Sequence, residues 1–185
     1  MSHTITYRPE IEMDIQHVFK TAMQRFPAAV TLVATRSHEG ASGLTATAVC
    51  SLSADPPSLL ICVNRSASAH DAILESGIVG VSLLPQDDEA FADRFSKAKG
   101  SDRFQPEEEW TTLITGAPVY RNAAVAFDCR TTQVSPAYTH SVIFAEVVAI
   151  RVGEEGEKGC LMWHGKGFAR LAAAQPMLKT AAPPA

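Results

Sequence analysis

Apolar and polar positions along this chain follow two different periods. Over residues 15–25 the period is helical. Ile15, Val18, Phe19, Ala22, Met23 and Phe26 fall on an i, i+3, i+4, i+7 stripe. Asp14 stands where an N-cap is wanted, and Pro27 where the helix must stop. The stripe is expected to pack on a sheet. Beyond it the period shortens. Ala29–Thr35 reads as a strand, Ser37–Gly40 as a turn, and Ser42–Ser51 as a second strand rich in Thr and Ala. Asp55-Pro56-Pro57 breaks that strand, and Ser58–Val63 forms a third. The connections leave no room for a crossover helix, so neighbouring strands should run antiparallel.

The pattern then alternates between helix and strand. Ser68–Glu75 reads as a short helix, with Ser68 as N-cap and Asp71 completing an S-x-x-D capping box. Ile78–Leu84 is a strand stopped by Pro85. Gln86–Phe95 returns to helical spacing, and Asp87, Asp88 and Glu89 suit its N-terminus. Ala98–Trp110 is polar and reads as an exposed loop. Ala123–Val134 alternates like a strand, Val142–Val152 is a long apolar run, and Cys160–His164 reads as the final strand. Six or seven short strands with two or three helices make a mainly β protein, an antiparallel barrel decorated by helices. No repeat or second composition regime appears. The expected layout is an N-terminal arm over 1–13, one domain over 14–171 and an Ala/Pro-rich tail over 172–185.

Composition narrows the function. The 185 residues are 46% hydrophobic and 19% charged, with a net charge of -4, and no basic face is present to hold nucleic acid. No apolar run approaches the roughly 20 residues that span a bilayer. The N-terminus lacks a signal-peptide pattern, and Cys50, Cys62, Cys129 and Cys160 form no C-x-x-C pair. Most lie in apolar runs and are expected to be buried free thiols. A cytoplasmic location is expected, with no membrane and no metal site.

Nucleophile-elbow, phosphate-loop and dinucleotide-fingerprint motifs are all missing, and the six histidines are scattered. What remains is a binding surface with few acid or base groups. That suits an enzyme whose organic cofactor carries the chemistry. Gly43–Pro57, GLTATAVCSLSADPP, is its centre. Small side chains let a flat ligand approach the backbone, and hydroxyls can bond its rim. Thr45 and Thr47 are two apart and should share a face. A Thr-rich strand half buried in a barrel is the structural alternative. Asn64–His70 joins a strand end to a helix N-terminus, where Arg65, Ser66 and Ser68 could add charge and donors for a phosphate. A plain capped helix is the alternative there. His140 lies at a loop–strand junction. In Trp163–Phe168 aromatics and glycines could border a flat ligand, although the pattern itself places Trp163 in the core.

The order of these pieces resembles a known family. Arg25-Phe26-Pro27 and Ala29–Val33 come first, then Gly43–Ala48 running through Ser51–Pro57. Ser66, Ser68 and His70 follow, then Phe91–Phe95, and late in the chain His140 with Ile143–Val147. The series resembles the flavin reductase family with the FMN-binding split-barrel fold, the reductase components of two-component flavin monooxygenases. The most specific part is G-x-T-A-T…S-x-S-x-D-P-P, and the resemblance runs from about residue 14 to about residue 171.

The resemblance implies a homodimeric, Greek-key split barrel of six to seven strands. It implies binding of FMN or FAD, reduction by NADH or NADPH, and delivery of reduced flavin to a separate monooxygenase. On that reading Thr45, Ala46 and Thr47 line the isoalloxazine edge, and Ala48, Cys50 and Ser51 continue the cleft. Ser66, Ser68 and His70 lie near the phosphate, Phe95 borders the site, and His140 sits by the nicotinamide. His140 matches the histidine of the family's Gly-Asp-His motif, but Tyr138 and Thr139 precede it here. Two other readings fit the same surface: a flavoprotein that holds FMN tightly and acts on another small substrate, and a flavin-binding module without catalysis.

Overall fold

A computed structural model of the chain describes residues 14–153 and 159–171. The expected arm over 1–13 and the tail over 172–185 lie outside the described residues. Helix α1 spans Ile15–Met23, and Asp14 Oδ1 accepts the His17 N–H at 3.1 Å, as the cap pattern requires. The strands that follow are β1 (Ala28–Ala29), β2 (Thr31–Ser37), β3 (Gly40–Ala46), β4 (Val49–Ala54) and β5 (Pro57–Asn64). Next come α2 (His70–Ser76), β6 (Ile78–Leu83) and α3 (Glu89–Lys97). Two 3-10 turns, Gly100–Phe104 and Glu107–Glu109, lead to β7 (Trp110–Thr112) and β8 (Pro118–Tyr120). The chain then forms β9 (Val125–Ala137), β10 (His140–Val152), β11 (Leu161–His164) and β12 (Gly167–Arg170).

Seven strands make one antiparallel sheet in the order β3-β2-β6-β9-β10-β5-β4. Its two edge strands, β3 and β4, are consecutive in the chain, with only Thr47 and Ala48 between them. The sheet must therefore curl until its edges meet at that joint. β3 and β4 form no ladder with each other, so the sheet is not closed there.

The core lies on both faces of this sheet, which explains the unbroken buried run Thr31–Thr35 in β2. On one face Val33, Ile61, Val63, Val81 and Ile143 pack with Ala69 and Ile73 at α2. On the other, Leu32 and Ala34 meet an aromatic cluster of Phe91, Phe95, Phe104, Trp110 and Tyr120. Gly80 lets β6 touch β8, since a Cβ there would stand 2.3 Å from Pro118 O.

Several expectations are corrected. The Ser42–Ser51 strand is two strands, broken at Thr47-Ala48. Beyond Gly43 the stretch is half-buried or exposed, because β4 is a sheet edge. The second helix starts at His70 with Ala69 as its N-cap, and no side chain caps it, so the Ser68 capping box does not form. A turn closed by His70 N–H to Ala67 O at 2.9 Å takes up Ser68 instead. Ala98–Trp110 is not simply an exposed loop, because Phe104 and Trp110 anchor it in the core. β11 is not the last strand: β12 pairs with it. Trp163 is 40% exposed rather than buried. Of the cysteines only Cys129 is buried; Cys50 is exposed, and Cys62 and Cys160 are intermediate. The α1 stripe packs on no sheet, for α1 has no buried residue, and Phe19 and Phe26 are 62% and 65% exposed.

Candidate functional site

The joint between the two sheet edges opens on a cavity of about 260 Å³. Thr45 and Ala46 reach it from the end of β3, and Thr47 from the joint itself. Val30, Ala92 and Ser96 of α3, and Trp163 and Phe168 complete its lining. The two aromatic rings stand edge to face with centroids 5.3 Å apart. They are held there because β11 pairs with β12 on one side and with the two-residue β1 on the other. Thr31 Oγ1 donates to Ala46 O at 2.7 Å and fixes the end of β3. Among the described residues no strand pairs with the outer edges of β3 or β4. Backbone donors and acceptors beside the cavity are thus available to a ligand.

A shallower cleft of about 690 Å³ continues past Ser96, Trp163 and Phe168 toward Lys166, Asp87, Glu89 and Asp93. The small cavity suits one flat ring system and the adjoining cleft the rest of a larger ligand. A lining of small side chains and two aromatic rings suits a flavin or nicotinamide ring.

The other expected residues divide into those brought near this joint and those placed elsewhere. Ala48 O accepts the Cys62 N–H at 2.9 Å, so the joint lies against the end of β5. Two residues on, Asn64 pairs with His140 at the start of β10. Arg65 N donates to Thr139 O at 2.9 Å. The small-residue joint, the 64–69 loop and the 138–140 turn therefore meet at one end of the sheet. Ser66 and Ser68 are exposed in that loop. The Ser66 N–H and Oγ both bond Asn64 Oδ1 at 2.9 Å. His140 Nδ1 lies 2.9 Å from Thr139 Oγ1, and Tyr138, at φ 53, is fully exposed.

Four residues sit differently. His70 is 6% exposed, with Nδ1 2.7 Å from Asp71 Oδ1 and Nε2 2.9 Å from Ser141 Oγ. Both ring nitrogens are engaged within the chain. Phe95 lies in the aromatic core, and its neighbours Ala92 and Ser96 face the cavity instead. Cys50 and Ser51 are exposed on β4 and do not line the cavity.

Sequence reasoning missed Val30, Ala92 and Ser96 as lining. The Trp163-x4-Phe168 spacing was their partners' only signal. Among the described residues no group of His, Cys, Asp and Glu is placed to hold a metal ion, and no helix is long and apolar enough to cross a membrane.

Residues 23–172 match the family model of the flavin reductase like domain. An FMN reductase (NADH) of Variovorax paradoxus strain S110 is 37% identical over 155 residues, which cover 84% of this chain and 85% of that protein. The solved NADH:FAD oxidoreductase of Streptomyces globisporus superposes with a TM-score of 0.77 at 25% identity, covering 92% of this chain and 99% of the other. The flavin reductase component of a bacterial two-component tryptophan halogenase gives 0.74 at 27% identity, covering 84% and 98%. The curled seven-stranded sheet and the sequence agree: the chain belongs to the flavin reductase family.

Proposed function

We propose that the protein is an NADH-dependent FMN reductase that releases reduced flavin to a separate flavin-dependent oxygenase or halogenase. The observation that carries the reading is the cavity at the β3–β4 joint, lined by small residues together with Trp163 and Phe168. The name of the Variovorax relative supports FMN and NADH, and that of the halogenase component supports delivery to a second enzyme. The adjoining cleft is lined by Asp87, Glu89, Asp93 and Lys166, with Asp87 paired to Arg170 and Asp93 to Lys97, and these polar groups suit the hydroxyls of a nucleotide ribose.

Bound together, the two nucleotides would supply hydride transfer from nicotinamide C4 to flavin N5, a proton from water completing reduction. The chain binds, orients and excludes water. Backbone groups at Thr45–Ala48 and the two threonine hydroxyls bond the flavin rim. N–H groups aimed at developing negative charge stabilise it without reorganising. Trp163 and Phe168 would border a ring held there and help to exclude water from it. Arg65, Ser66 and Ser68 hold the phosphate. Thr139 holds His140 Nδ1, leaving Nε2 to meet the nicotinamide. Stacking the rings at roughly 3–3.5 Å is most of the catalysis, so few titratable groups are needed. A second copy of this chain covers α1 and the exposed edge β4, where apolar and unpaired backbone groups lie open.

The test is nicotinamide oxidation by purified protein, with and without free FMN, FAD or riboflavin. Turnover should require FMN, saturate with it, and run faster with NADH than with NADPH. A tightly held flavin reduced once without turnover would overturn the reading, and so would the absence of flavin binding.

A further inference from the structure

Asp71, His70 and Ser141 form a continuous hydrogen-bonded chain. Asp71 Oδ1 lies 2.7 Å from His70 Nδ1, and His70 Nε2 lies 2.9 Å from Ser141 Oγ. The order is that of a hydrolytic triad, but the burial is wrong for one. Ser141 is only 4% exposed. It shares a β10 face with Ile143, which packs with Ala69 and Ile73 in the apolar cluster beneath α2. No substrate could reach its hydroxyl. The outer end is the reverse, since the Asp71 side chain is 87% exposed. With Nδ1–H donating to the carboxylate, Nε2 accepts the Ser141 O–H, and every polar group in the chain is satisfied.

What this chain joins is specific. His70 is the first residue of α2 and directly follows the 65–69 segment. Ser141 directly follows His140 and pairs with Val63, while His140 pairs with Asn64. Alternation puts His140 on the opposite face of β10 from Ser141. The buried bond thus pins, from beneath, the strand end whose upper face carries His140. The Arg65 N–H to Thr139 O bond ties the same two segments through the backbone.

We propose that Asp71–His70–Ser141 is a positioning device that locks the start of α2 to the start of β10. It thereby holds the Arg65–Ser68 loop against His140 and sets how tightly flavin is bound; this rests on the flavin reductase reading. His70 and Ser141 are positioning residues, and neither need touch the ligand.

The two ring nitrogens can be separated by substitution. His70→Gln keeps a polar group at the Nε2 position facing Ser141. His70→Asn keeps one at the Nδ1 position facing Asp71. FMN binding is followed by flavin fluorescence, steady-state constants are measured in parallel, and melting temperature reports folding. His70→Asn and Ser141→Ala should each raise the FMN dissociation constant about fivefold to tenfold, the loss expected for one hydrogen bond. His70→Gln should stay within about twofold of the parent, and His70→Asn with Ser141→Ala should be no worse than His70→Asn alone. KM for FMN should rise more than kcat falls.

Equal loss in the Gln and Asn variants would overturn the proposal, because ring packing alone would then explain it. Parent-like FMN affinity in Ser141→Ala would also overturn it, and that small change keeps the test informative if the His70 variants fold poorly. If the unaltered protein itself fails to bind FMN, the functional reading falls and this inference with it.

Discussion

Helix α1 and the segment from Ala98 to Trp110 behave in the fold as opposites of how their sequences read. α1 carries the clearest apolar stripe in the chain, yet buries none of its residues. Ala98–Trp110 is dominated by charged and polar residues, yet it delivers Phe104 and Trp110 to the core. A periodic stripe reports that an element has an apolar face and says nothing of what covers it. A short 3-10 turn has no period to report, and two aromatic anchors are enough to fix it. Side chains do the rest. Arg94 bonds Gln105 O at 3.0 Å and pairs with Glu109, while Arg103 bonds Ala98 O at 2.7 Å and also Gly43 O. Both guanidinium groups lie over core rings, at 5.0 Å from Phe91 and 5.7 Å from Phe95.

Truncating the two kinds of aromatic is the strongest test of that contrast. Trp110 lies among four rings, with centroids 4.6 to 6.2 Å away. Trp110→Ala should cost about 3–5 kcal/mol of folding stability, read from the urea midpoint. Phe19→Ala should cost less than about 0.5 kcal/mol at protein concentrations low enough to keep the chain monomeric. An unchanged midpoint in Trp110→Ala would put the segment outside the core after all. A large loss in Phe19→Ala at high dilution would mean that α1 packs within its own chain.

If a second copy covers α1, the exposed stripe is an interface rather than a misplaced core face. Replacing Phe19 and Phe26 together by Asp would place two charges where apolar contact is expected. Self-association should weaken by at least about tenfold. Sedimentation velocity across a concentration series reads this directly. A parent protein that is monomeric throughout, or a double variant that sediments like it, would remove the second copy from the account.

Much of the sheet was legible because its strands are apolar, short and closed by strong punctuation. Asp55-Pro56, Pro85 and the turn at His38-Glu39 each end an element near where the sequence says. The break at Thr47-Ala48 was not legible. No glycine or proline marks it, and it exists because two sheet edges must meet there, a long-range requirement. The shifted start of α2 has a local cause, the Ala67–His70 turn, which competes with the cap that Ser68 offers. Trp163 was misplaced because β11 is anchored by the two-residue β1, too short to read, and so faces a cleft. At the site, Thr45–Thr47 could be found from small, hydroxylated composition. Val30 and Ala92 could not, since their types are ordinary for a core, and neither could Ser96, whose type is ordinary for an exposed helix position.

Trp163 also makes a smaller contrast with Trp110, one ring at a surface cleft and the other inside. Trp163→Ala should leave the melting temperature within a few degrees of the parent, while FMN binding weakens about three- to tenfold, the worth of one aromatic contact. Flavin fluorescence and thermal unfolding on the same samples measure both. A large loss of stability with unchanged FMN affinity would return Trp163 to a structural role.

The smallest expected effect compares the two cores through the titratable group each one buries. Cys129 is wholly buried in the aliphatic cluster. Burial first, and the adjacent Asp128 carboxylate second, push its thiol from 9.0 up to about 12. The native chain therefore holds this proton more tightly than the unfolded chain does. Below about pH 9 both states are protonated and stability does not depend on the group. Between about 9 and 12 the unfolded thiol is ionised and the native one is not, so stability falls as pH rises, by on the order of 1 kcal/mol per pH unit. Tyr120 in the aromatic core is pushed the same way, by burial and then by the Asp88 charge, and adds its own loss only above about pH 10. Cys129→Ala costs a similar cavity at every pH but removes the thiol's titration. The gap in urea midpoint between parent and variant should narrow between pH 8 and pH 10, before Tyr120 contributes much. Midpoints that stay parallel over that range would show that the Cys129 thiol ionises as readily in the folded chain as in the unfolded one.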